Sequence, residues 1–315
     1  MRFEIVILGC GAATPTLRHS PTSQAINWDG RWILVDAGEG VQLGLRKYHI
    51  PLQKIEAVCI SHMHGDHVLG LPGLLGSMNL FGRTTPLSLY GPADLEKFVR
   101  QVLESTETYV RYPLNFHVNS GDACSPILEW RDCKVESVPV RHRIPAFGYV
   151  FEYNPTVRNI HKEVILKKKL QRSEILRLKS GKDVTRKSGQ TILVKDACLP
   201  PKSSLKYVFS GDTAPCDELI DASKYADVLY HEATFMDILK ETAKKTGHTT
   251  ALQAGNIARE AEVSQLVIGH LSSRYRDEQL VLDEATSVFP NSCLAQEGLH
   301  FRLNPQTKRT ETYLE

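Results

Sequence analysis

The chain has 315 residues and a formal net charge of +2. Apolar residues make up 42% and charged residues 23%, which excludes wholesale disorder. No run approaches the roughly 20 apolar residues that span a bilayer, so no membrane contact is expected. The seven cysteines include no C-x-x-C pair, which argues against a disulfide framework or a thiolate metal site and for a reducing cytoplasm.

The elements follow in chain order. Residues 3–8 predict a strand and 9–15 a loop. Asp29-Gly30, between apolar runs at 25–28 and 32–35, predicts a hairpin. A helix is expected over 41–47 and a short buried strand over 57–60. A glycine-broken apolar helix spans about 71–80, then a strand 87–90. Another helix follows Gly91-Pro92, with Pro92 in its first turn. Strands are expected at 115–118, 134–140, 148–153, 207–210, 228–230 and 265–268, and helices at 250–262 and 277–289.

Between the strands at 148–153 and 207–210 the composition changes. Residues 155–206 hold 14 Lys/Arg against 4 Asp/Glu, a local charge of +10, so the remainder carries −8. Such an excess points to an acidic polymer, above all nucleic acid. Leu170, Ile175, Leu176 and Leu178 near Lys167-Lys168-Lys169 have near-helical spacing. The segment therefore reads as a projecting, partly helical arm rather than core.

The chemistry concentrates in His62, His64, Asp66 and His67, four metal-competent side chains in six residues. Imidazole nitrogen and carboxylate oxygen suit zinc. Extended backbone would aim His62 and His64 at one ion. The sharp turn allowed by Gly65 would aim Asp66 and His67 at a second. Two ions need further ligands, and His142, Asp212 and His270 each follow an apolar strand, with Asp212 able to bridge. Asp36 has two readings: acceptor of a ligand-histidine N–H, or helix N-cap.

The H-x-H-x-D-H pattern in Ser61-His62-Met63-His64-Gly65-Asp66-His67 resembles that of the metallo-β-lactamase superfamily. Within it, the continuation Gly70-Leu71-Pro72-Gly73-Leu74-Leu75, His231-Glu232-Ala233-Thr234, Gly247-His248-Thr249-Thr250 and Gly269-His270-Leu271-Ser272-Ser273-Arg274-Tyr275 are similar to motifs of the short-form ribonuclease Z family of tRNA 3′-processing endonucleases. The resemblance covers nearly the whole chain. It implies an α/β fold, the four-layer αβ/βα sandwich, as a single domain over 1–315, with an inserted flexible basic arm over 155–205 that holds tRNA. It implies one zinc on His62, His64 and His142 and a second on Asp66, His67 and His270, bridged by Asp212. Asp66 would also accept the proton of the attacking water, and His248, oriented by Glu232, would serve the scissile phosphate or leaving group. Substrate contacts would come from Lys167, Lys168, Lys169, Arg172, Ser273 and Arg274. The family also implies a homodimer that cuts tRNA precursors to leave a 3′-hydroxyl. At its N-terminal loop the family reads P-T-x-x-R-N, where this chain has Pro15-Thr16-Leu17-Arg18-His19-Ser20. Two other readings remain open here: a hydrolase of small phosphodiesters, thioesters or lactones, and a non-catalytic RNA-binding protein.

Overall fold

A computed structural model describes residues 3–121, 123–130, 132–155, 157–200 and 203–315. Thr156, Pro201 and Lys202 of the expected arm lie outside the described residues, as does the start of the chain before Phe3.

The first half of the chain builds one sheet. β1 (Phe3–Gly9), β2 (Ser23–Trp28) and β3 (Arg31–Val35) are antiparallel neighbours. Asp29 and Gly30 turn the β2–β3 hairpin, both at positive φ, as a two-residue turn of the primed type requires. Then come α1 (Val41–Lys47), β4 (Ile55–Cys59), α2 (Gly65–Val68), α3 (Gly70–Leu80), β5 (Leu87–Gly91), α4 (Leu95–Ser105) and β6 (Leu114–Val118). From β3 to β6 neighbouring strands run parallel, because a helix returns the chain between them. α4 begins at Leu95 rather than at Pro92; the Pro92 carbonyl instead closes a turn by accepting from the Leu95 N–H at 3.0 Å.

The second half opens with the antiparallel run β7 (Ser125–Trp130), β8 (Cys133–Val140) and β9 (Ala146–Tyr153). The insertion follows: α5 (Lys162–Lys167), α6 (Arg172–Lys179), β10 (Val184–Thr185), β11 (Thr191–Ile192) and α7 (Val194–Ala197). The chain continues through β12 (Leu205–Phe209), α8 (Asp217–Ser223), β13 (Val228–Glu232), α9 (Lys240–Thr246), α10 (Ala251–Glu260), β14 (Leu266–Gly269), α11 (Gln279–Thr286) and β15 (Ser292–Leu294). It then crosses back to the first sheet as β16 (Leu299–Asn304) and β17 (Arg309–Leu314).

Among the described residues the two large sheets have the orders β17-β16-β1-β2-β3-β4-β5-β6 and β15-β14-β13-β12-β9-β8-β7. Alternate side chains meet between them: Phe3, Ile5, Ile26 and Ile33 from one sheet, Tyr149, Phe151, Tyr207 and Phe209 from the other. On the outer face of the first sheet, Val6, Leu34, Val58 and Leu89 pack on Leu45, Leu71, Leu75 and Val99 of α1, α3 and α4. On that of the second, Val208, Leu229 and Ile268 pack on Leu219, Ala254 and Val281 of α8, α10 and α11. Both sheets are thus apolar on both faces, and the result is the expected four-layer αβ/βα sandwich.

The insertion has a core of its own. Ile160, Leu170, Leu178, Val184, Ile192, Ala197 and Cys198 are buried against one another. None of them joins the three main clusters among the described residues. The near-helical spacing from Leu170 holds only in part. The chain breaks between α5 and α6, with Lys169 at φ +45°, and Leu170 packs from outside the helix.

Candidate metal centre and active site

The four residues of the histidine-rich motif follow β4. His64 is extended (φ −68°, ψ 149°) and α2 starts at Gly65, so the chain changes direction between the first pair of side chains and the second. His142 lies beyond β8, Asp212 beyond β12 and His270 beyond β14, all at one end of the sandwich. Gly211 has φ +63°, and a Cβ there would sit 2.7 Å from the Phe147 carbonyl oxygen, so the turn that presents Asp212 needs glycine. Asp36 and His270 also occupy left-handed backbone, at φ +57° and +54°, a strain that clusters at functional sites.

The structure brings all seven side chains together in two groups. His62, His64, His142 and Asp212 form one, and Asp66, His67 and His270 the other, each with donor atoms within 4.8 Å of one another. Asp212 reaches both: Oδ2 lies 3.7 Å from His62 Nε2 and 3.3 Å from His270 Nε2, and Oδ1 3.5 Å from His67 Nε2.

Hydrogen bonds behind the rings decide which nitrogen faces inward. His67 Nδ1 donates to Asp36 Oδ2 at 2.7 Å, and His142 Nδ1 to the Gly247 carbonyl at 2.8 Å. Ser61 Oγ donates to Asp36 at 2.8 Å and so accepts from His62 Nδ1 at 3.0 Å. Thr234 Oγ1 donates to Glu232 at 2.8 Å and so accepts from His270 Nδ1 at 2.9 Å. Four Nε2 lone pairs are thereby turned toward the centre, where His64 presents Nδ1, 2.9 Å from His62 Nε2 and 3.3 Å from His142 Nε2. Of the two readings of Asp36, the structure selects the ring acceptor. Gly40, not Asp36, stands at the N-cap of α1.

These donors fit divalent cations. A tetrahedral zinc with Zn–N of about 2.0–2.1 Å spaces its ligand atoms about 3.3 Å apart, close to the 2.9–3.7 Å found here. Burial and mutual repulsion push the protonation of His62, His64 and His142 down, leaving neutral imidazoles. Burial would raise the carboxyls of Asp66 and Asp212, yet the facing histidines outweigh it and hold both well below the usual range. Asp36, Asp66 and Asp212 pair with no lysine or arginine among the described residues, so the compensating charge must come from the centre itself.

Glu232 and His248 form a second unit beside the first. Glu232 is buried and accepts from the Thr213 N–H, the Thr234 N–H and the Thr234 hydroxyl. His248 Nδ1 donates to its Oε1 at 2.8 Å. Burial opposes charge on His248, but Glu232 and then Asp212 outweigh it and raise its pKa to about 9. The sequence Gly247-His248-Thr249-Thr250 explains the placement. Gly247, at φ +75°, ends α9 and offers its carbonyl to His142. Thr249 Oγ1 donates to the Thr213 carbonyl at 2.5 Å. Thr250 opens α10 with a reciprocal bond pair to Gln253.

A cavity of about 460 Å³ covers the centre, lined among others by His64, Asp66, Asp212, His248 and His270. Ser273 and Arg274 are on its wall; Arg274 lies over the Phe235 ring at 4.8 Å and donates to Ser272. Lys167, Lys168, Lys169 and Arg172 are elsewhere, exposed on the insertion. The departing loop has a local purpose. Arg18 donates to the Tyr275 and Arg276 carbonyls, and both Arg18 and His19 pair with Glu278. That fastens the loop to the segment after His270, and the Ala13 N–H then donates to Asp66 Oδ2 at 2.7 Å. Sequence reading missed Ala13, Thr234 and Arg143 at the site. Thr234 carried a signal, since it ends the His231–Thr234 motif; Ala13 acts through its backbone and carried none.

Comparison with known proteins places the chain in a family. The family model described as Anti-Pycsar protein Apyc1 matches residues 3–156. A ribonuclease Z of Bacteroides thetaiotaomicron is 38% identical over 306 residues, covering 97% of each chain. The crystal structure of human tRNase Z, short form, superposes with a TM-score of 0.68 at 25% identity, covering 94% of this chain and 98% of that one. The metallo-β-lactamase fold protein YhfI from Bacillus subtilis superposes with a TM-score of 0.67 at 22% identity, covering 95% and 98%. The chain therefore belongs to the ribonuclease Z family, and is a hydrolase of the ribonuclease Z type built on a metallo-β-lactamase fold.

Proposed function

We propose that this chain is a dinuclear zinc endoribonuclease that removes the 3′ trailer from tRNA precursors and leaves a 3′-hydroxyl on the tRNA. The observation that carries the reading is the pair of donor groups joined through Asp212, with the Glu232–His248 unit at their side. His62, His64 and His142 would hold one ion, Asp66, His67 and His270 the other. The chemistry such ions supply is a bound water with its pKa lowered to about 7 and neutralisation of charge on the phosphate oxygens.

The chain's own groups do the rest. Asp66, ionised, accepts the proton of the attacking water. Attack at phosphorus breaks the bond to O3′ and leaves the phosphate on the trailer. With Nδ1 tied to Glu232, His248 has Nε2–H free to protonate the departing O3′. Ser273 and Arg274 contact phosphate at the cavity wall. The insertion over 155–205, with Lys167, Lys168, Lys169 and Arg172 exposed, grips the tRNA body through its backbone. The active form is a cytoplasmic homodimer, each arm serving the partner's site. Among the described residues no helix is long and apolar enough to cross a membrane.

The test is a 3′-extended tRNA precursor incubated with the protein, with and without chelator, beside Asp66→Ala and Asp212→Ala. Single-site release of the trailer is expected, lost with chelator and reduced about a thousandfold or more in either variant. Intact precursor in the presence of fully zinc-loaded protein would overturn the reading in favour of a small-substrate hydrolase.

A further inference from the structure

Two guanidinium groups line the cavity, and they are held differently. Arg274 is fixed by the Phe235 ring and Ser272. Arg143 also lines the cavity, directly after His142 in the chain, and is exposed. Its side chain has no hydrogen-bond or ion-pair partner among the described residues. Glu39, a carboxylate on the cavity wall, makes no ion pair with it among the described residues. An unpaired guanidinium beside a phosphodiester site is a ready bidentate partner for a phosphate.

The two arginines also stand apart. Arg143 leaves the sheet from the end of β8 and Arg274 from the end of β14, with β9, β12 and β13 between. Arg143 thus enters beside the donor group that includes His142, and Arg274 on the segment that follows His270 of the other group. The scissile phosphate belongs to the centre between them.

We propose that Arg143 binds an RNA backbone phosphate adjacent to the scissile one, on the β8 flank of the site, so that the cavity favours a polynucleotide over an isolated diester. The proposal rests on the endoribonuclease reading and names a specificity residue for it.

The experiment measures equilibrium binding of the tRNA precursor against salt. It uses zinc-loaded His248→Ala protein, which keeps all seven donor side chains. Adding Arg143→Ala is expected to weaken binding about tenfold near 0.1 M salt and to reduce the slope of log K against log salt by about 0.7. Arg143→Lys restores the slope, because the slope counts charge, and only part of the affinity. In the otherwise native protein, Arg143→Ala lowers the preference for the precursor over a mononucleotide diester about tenfold, read as the ratio of kcat/KM values. Unchanged affinity and slope would overturn the proposal. So would equal losses on precursor and diester, which would put Arg143 at the scissile phosphate. If native protein bound the precursor with this Arg143 dependence and failed to cut it, the endonuclease reading alone would fall.

Discussion

At the candidate catalytic end, seven side chains from four strand ends converge under two sheets, and His62, His67, Asp212 and His270 are buried. In the insertion, seven apolar residues make a separate small cluster, and Lys167, Lys168 and Lys169 stand in solvent. The two regions answer different demands. Donor atoms must be held within tenths of an ångström, so the rings of His62, His67, His142 and His270 are each fixed from behind by a hydrogen bond anchored in the sandwich. The grip on a polyanion proposed for the insertion needs charge and reach more than position, so a core large enough to order the backbone suffices.

The hardest test of this division removes the insertion. Tyr153 of β9 pairs directly with Leu205 of β12, so deleting 155–202 leaves a three-residue hairpin loop between paired strands. Precursor cleavage is expected to fall about a thousandfold or more, while hydrolysis of a small aryl phosphodiester stays within about threefold, since up to ten phosphate contacts carry most of such affinity. Equal loss of both activities in a steady-state assay would break the comparison.

A smaller effect is expected within the catalytic end. Glu232→Gln removes the charge that keeps His248 protonated, and turnover of the precursor should drop about a hundredfold. In metal-free protein, NMR titration should show the His248 pKa fall from about 9 toward its ordinary value of about 6.5. The sign follows from linkage. A raised histidine pKa adds stability that is fully present below about 6.5 and is lost as pH rises through about 9. Glu232→Gln should flatten that alkaline decline in thermal melts; an unaltered decline would remove Glu232 as its cause.

The smallest effect sharpens the independence of the insertion. Leu178 is fully buried in its cluster, and Leu178→Ala costs about 2–5 kcal/mol there. So small a cluster cannot absorb that loss. Amide exchange over 160–198 should accelerate and the KM for precursor rise several-fold, about five, with the main melting transition unmoved. A shift of that transition would show that the two cores fold as one.

Much of the site was legible because its chemistry is local in the chain. His62, His64, Asp66 and His67 fall within six residues, and the change of direction at Gly65 follows from glycine itself. His142, Asp212 and His270 were legible as candidates from a repeated context, apolar strand then metal-competent side chain. Asp36 was not decided by the sequence, since acceptor and helix cap share one residue type. β16 was missed although Phe301 and Leu303 keep the two-residue period of a half-buried strand. Its neighbour β1 lies almost three hundred residues away, and no local pattern announces such a pairing.

The sequence by itself determined the strand-and-helix alternation, the donor types and their spacing, and the concentration of positive charge in one insertion. Those depend on side-chain chemistry and short-range backbone preference, which each segment carries wherever it ends up. Only the tertiary structure decided that Asp36 and Thr234 accept from the rings of His67 and His270, that the Ala13 N–H meets Asp66, that Arg143 stands unpaired at the cavity wall, and that the insertion closes on its own core. Each of these joins groups distant in sequence, and their meeting depends on the packing of two sheets that no single segment encodes.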